Sequence, residues 1–140
     1  MLRHRLVSKT QQQTHHRGVA LTEFACTLPV LLVLLMGTIE SSSMIYLKQT
    51  LHIAAYESAR VSLVPGSTTA QVKYAATQIL TDRRVRDAVI TISPTGFASA
   101  PVCSYITVTI TAPSNSNFGV PMIFCRDKTI TGTCTMMKEY

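Results

Sequence analysis

The sequence has no acidic side chain in its first 18 residues, no second long apolar run after residue 40, and none of the short motifs that mark an enzyme. The first absence leaves Arg3, Arg5, Lys9 and Arg17 as an unbalanced basic tail. The other nine basic residues share positions 19–140 with all seven acids, so the net charge of +6 belongs mostly to the tail. A basic tail can bind nucleic acid. One that runs straight into an apolar segment reads instead as a topology signal, with the cations held on the cytoplasmic side. No nucleic-acid partner is expected. The third absence leaves catalysis without a residue to carry it. No GxSxG, Walker, HExxH or EF-hand pattern occurs, and three of the four histidines, His4, His15 and His16, lie in the tail. His15 and His16 have no third ligand nearby. The chain is therefore read as no enzyme, with no cofactor, metal site or small-molecule substrate.

What is present is one apolar run. Val19–Ile39 holds 21 residues, of which only Glu23 is charged. As a helix it covers about 30 Å, one hydrocarbon core. The expectation is a single crossing, N-terminus inside, with the residues beyond about 40 in an extracytoplasmic compartment. This gives a basic cytoplasmic leader at 1–18, without regular structure, a transmembrane helix at 19–40 and an outer domain at 41–140. Pro29 lies within the run and should bend or loosen the helix without ending it, because membrane helices re-satisfy the freed carbonyl. Glu23 needs a reason. An ionised acid at a bilayer centre costs roughly 2.5–3.5 kcal/mol on insertion scales, and an ordinary anchor would carry Leu there.

Helical periodicity continues beyond the run. Met44, Leu47, Leu51, Ala54, Ala55 and Val61 recur at three- and four-residue steps, with Gln49, His52, Tyr56 and Arg60 on the other side. Pro65-Gly66 then stops the helix. Thr68 and Gln71 have capping-box spacing, and Val72, Ala75, Ala76, Ile79 and Leu80 form an apolar face, so a second helix is expected over 69–82. Arg83, Arg84 and Arg86, interleaved with Asp82 and Asp87, read as a solvated helix end, with a binding patch as the alternative. The period then changes to two. Residues 87–93, 104–111 and 128–137 alternate, with threonines on one face of the latter two, and predict a small antiparallel sheet of three strands whose buried face covers the outer half of the first helix. The fold class is α+β. The loop from Pro113 to Asp127 contains "VPMIFC", too apolar to stand free in water. Of the four cysteines, Cys26 lies in the apolar run and behaves as a small apolar residue. Cys103, Cys125 and Cys134 lie in the outer domain, where three sites allow one disulfide and leave one thiol over. Spacing alone selects no pair.

Four blocks carry a resemblance: Arg17-Gly18, "TEFACTLP" at 22–29, "GTIE" at 37–40 and "AAYESAR" at 54–60. In this order and spacing they resemble the TadE/TadF family of minor pseudopilins in tight-adherence (Flp) pilus systems. Ser41, Ser42 and Ser43 depart from that pattern, and the strand-region cysteines are not part of it. The resemblance implies a pilin-like, membrane-anchored structural protein. It implies cleavage between Gly18 and Val19 by a prepilin peptidase at the cytoplasmic (inner) membrane. It also implies partners among other pilins or pseudopilins and the pilus assembly platform. Glu23, beside Phe24, would then face the new amino group on Val19 of a neighbouring subunit. A paired charge inside a helix bundle is tolerable where an unpaired one is not. The alternative is a secreted or membrane-anchored envelope protein with an ordinary signal peptide, cut after "GTIESSS", and no pilus role.

Overall fold

A computed structural model describes residues 4–118 and 125–139. It contains helix α1 (His4–Ser62), helix α2 (Thr69–Asp82), strand β1 (Val89–Ser93), a 3-10 turn (Phe97–Ser99), and strands β2 (Tyr105–Pro113) and β3 (Thr129–Met137). The sheet is antiparallel with strand order β1-β2-β3. The fold is α+β, as the change of period predicts. The chain divides into two compact units, Met1–Ile39 and Glu40–Tyr140.

The described part of the first unit is helix throughout. Here the structure differs from the sequence reading, since residues 4–17 are helical rather than an unstructured leader. Leu, Arg, Lys and Gln are good helix formers, and extending a formed helix avoids the cost of nucleation. Pro29 lies inside α1 without ending it. Its ring removes the N–H that would bond the Ala25 carbonyl. The hydroxyls of Thr22, Thr27 and Thr38 donate back to the carbonyls of Val19, Phe24 and Leu35 at 2.7, 3.0 and 2.8 Å. Each of these threonine hydroxyls is thus satisfied within its own turn.

The second unit is built around one core. The stripe on α1 buries Leu47, Leu51, Ala54, Ala55 and Ala59 against Val72, Ala76 and Leu80 of α2 and against Ile106, Val108, Ile110 and Ala112 of β2. Fully burying a Leu or Ile is worth roughly 1.5–3 kcal/mol, so this cluster is the main source of cohesion. Ser58 and Ser62 also lie on the buried stripe, and their hydroxyls donate to the carbonyls of Ala54 and Ala59. α2 begins with the expected capping box: the Gln71 N–H donates to the Thr68 hydroxyl and the Thr68 N–H donates to Gln71 Oε1. It ends in a Schellman pattern. The Arg84 N–H donates to the Thr81 carbonyl and the Val85 N–H to the Leu80 carbonyl. Arg84 holds φ 57°, a place that glycine usually fills.

The sheet meets α1 at a glycine. A Cβ on Gly132 would lie 2.5 Å from the Leu51 carbonyl carbon and 2.6 Å from the His52 nitrogen. Any side chain there would push the helix away from β3. The outer face carries the threonines, with the Thr107 and Thr135 hydroxyls 2.9 Å apart across β2 and β3. Two side chains tie the connections down. Lys138 Nζ donates to the carbonyls of Ala98 and Ala100, each at 3.0 Å, beside the buried Phe97. Asn117 accepts from the Arg86 N–H and donates to the Arg86 and Pro113 carbonyls.

Candidate functional site

Gly18, Val19, Glu23 and Phe24 lie together on α1 in the first unit. A Cβ on Gly18 would meet nothing within 4 Å, so the backbone there is open. Val19 and Glu23 are four residues apart and lie on one helix face, one turn from each other. Val19 is 48% and Phe24 60% exposed, and every residue from 18 to 35 is exposed. Among the described residues, the ion pair found is Arg126–Asp127, and Glu23 takes part in none. An acid and a bulky apolar surface thus stand side by side. This arrangement can offer a conformationally free residue at Gly18 and, five residues on at Glu23, an acceptor for a cation on a packed helix. The Gly18–Val19 bond lies within helix α1. The Thr22 hydroxyl donates to the Val19 carbonyl, one residue past Gly18.

A second acid, Glu40 of "GTIE", is buried in the second unit. Glu40 is 5% exposed, and its Oε2 accepts the Cys125 N–H at 3.2 Å. The carboxylate fastens the segment ahead of β3 to the start of the buried stripe. The signal was available: positions 40, 44, 47, 51, 54, 58 and 62 form one helical stripe. Most of the apolar "VPMIFC" segment lies outside the described residues. Cys125, at its end, is half-buried.

The cysteines depart from expectation. All four are free thiols. The register explains why Cys103, Cys125 and Cys134 do not bridge. The Cys103 N–H bonds the Lys138 carbonyl at one end of the sheet, four residues beyond Cys134, or about 13 Å of strand. The Cys125 carbonyl takes the Ser114 hydroxyl at the opposite end. A disulfide needs Cα atoms within about 7 Å. Cys134 packs against the core, and burial pushes its thiol pKa above the ordinary 9.0.

One helix among the described residues, Gly18–Ser62, is long and apolar enough to cross a membrane. Residues 18–60 match the family model of TadE-like proteins. The match starts at the glycine of the expected cleavage site and ends with "AAYESAR", leaving the sheet outside it. No curated protein and no solved structure matches the chain.

Proposed function

We propose that this TadE-like protein is a pseudopilin-like structural component, anchored in the cytoplasmic membrane, that helps assemble a tight-adherence pilus. The family match over residues 18–60 carries the reading, because it takes in Gly18, Glu23 and the whole apolar run. In this account the basic residues before Gly18 keep their end in the cytoplasm. A prepilin peptidase cuts between Gly18 and Val19, and the second unit stands outside. Removing the leader leaves an amino group on Val19. Glu23 then pairs with the Val19 amine of an adjacent pilin or pseudopilin helix, and Phe24 packs beside that contact. Within a low-dielectric bundle a satisfied pair is retained and a mismatched register leaves both charges bare, so the pair selects the aligned assembly. The role is structural, with no chemistry performed by the chain.

N-terminal sequencing of membrane-extracted protein tests the processing step. The mature chain should begin at Val19, and Gly18→Ala should leave the precursor uncut. A mature start after Ser43 would instead identify an ordinary secretory signal and remove the pilus reading.

A further inference from the structure

We propose that Arg83, Arg84 and Tyr46 form a binding site for the anionic headgroup of a phospholipid. The inference rests on the membrane-anchored reading above. Within the second unit, a cleft of about 350 Å³ is lined by Ser42, Ser43, Tyr46, Arg83, Arg84 and Asn117, among others. The Arg83 guanidinium lies 6.0 Å from the centre of the Tyr46 ring, within cation–π range. Both arginines are exposed, and neither forms an ion pair among the described residues. The neighbouring acids Asp82 and Asp87 do not line the cleft. The Asn117 side chain in the lining is held by hydrogen bonds to the Arg86 and Pro113 backbone. Arg84 is held at φ 57° by the end of α2. Two guanidinium groups beside serine hydroxyls suit a phosphodiester, which arginine binds through paired N–H donors.

Chain length says where this cleft must lie. Ser42 is three residues beyond Ile39, the last residue of the apolar run. Three residues reach at most about 11 Å, however the two units are oriented. The polar headgroup layer on each side of a bilayer is about 5–8 Å thick. The Ser42 edge of the cleft is therefore tethered at or next to the headgroups, where tyrosine is also favoured. A solvated helix end needs neither the tyrosine nor that location.

Native mass spectrometry of the full chain in neutral detergent tests the site, with phosphatidylglycerol, phosphatidylcholine and inorganic phosphate as separate probes. Phosphatidylglycerol adducts should exceed phosphatidylcholine adducts. R83Q and R84Q should each lower the phosphatidylglycerol adducts about fivefold, while R60Q leaves them unchanged. Equal adducts in wild type and the R83Q/R84Q variant overturn the site. Displacement of the lipid by an equal concentration of inorganic phosphate overturns the lipid as its occupant. Alkaline extraction of cell membranes reads the anchor separately. Release of the chain removes the anchored reading and the headgroup site with it. A retained chain with unchanged adducts removes the headgroup site alone.

Discussion

Residues 19–35 and residues 44–62 belong to the same helix and are both rich in apolar side chains, yet they meet opposite fates. In the first stretch every residue is exposed, Leu21, Phe24, Val30 and Leu34 each by 60% or more. In the second, Leu51, Ala54, Ala55 and Ser58 are wholly buried. The difference follows from pattern. Residues 44–62 carry one apolar stripe with polar residues opposite, which a sheet and a second helix within the chain can cover. Residues 19–35 are apolar on nearly all sides, and no single face could be matched that way. A helix apolar all round takes its solvent from a membrane or from other helices. Glu23 is the exception to that uniform surface, and this singularity is what supports its proposed role in assembly.

The comparison can be broken most forcefully at Gly132. Gly132→Val puts a branched side chain where Leu51 and His52 backbone atoms lie 2.5–2.6 Å from its Cβ. It should cost about 3 kcal/mol or more by overpacking. Urea denaturation of the second unit should show the loss, and alkali-resistant membrane association should persist because the 19–35 surface is untouched. Loss of both together would mean that the two stretches are not independent. A smaller effect is expected at Glu40, where the second pattern starts. Glu40→Ala leaves the half-buried Cys125 N–H without its carboxylate and should cost about 1–3 kcal/mol. The same denaturation midpoint reads it, and an unchanged midpoint would show that Cys125 is held by other contacts. The smallest effect concerns Cys134. Its folded pKa lies above the ordinary 9.0 because burial favours the neutral thiol. Its contribution to stability is fully present below 9.0 and is lost as pH rises through the folded value. At pH 8 it should alkylate more slowly than the exposed Cys103, as mass-spectrometric timing of iodoacetamide labelling would show.

Legibility in the sequence followed the range of the interactions. α2 spans Thr69–Asp82, as read from Thr68, Gln71 and its apolar face, because a capping box and an amphipathic stripe are local. The strands were legible from alternation, and the buried faces of β2 and β3 follow it residue by residue. The pins were not legible. Lys138 reaches carbonyls about 40 residues away, and Asn117 bonds Arg86 across 31 positions. The alternation of 128–137 puts Gly132 opposite the threonines, but only the approach of α1 shows why a side chain is excluded there. Arg84 carries no signal at all, since a left-handed helix end usually announces itself with Gly or Asn. The blocks around Gly18 and Glu23 were legible as a family pattern, while the buried role of Glu40 needed its position on the stripe to be noticed.

The central claim is that Glu23 serves contacts between chains and not insertion of this one. Glu23→Ala, expressed in cells that make the pilus, measures it through cleavage, alkaline extraction and co-purification with other pilins in one experiment. The mature chain should still start at Val19 and stay in the membrane. Its association with other pilins should fall by about two orders of magnitude, the equivalent of the roughly 3 kcal/mol or more lost when a buried pair loses one partner. Unchanged association with other pilins, or a loss of cleavage or insertion along with it, would contradict the account.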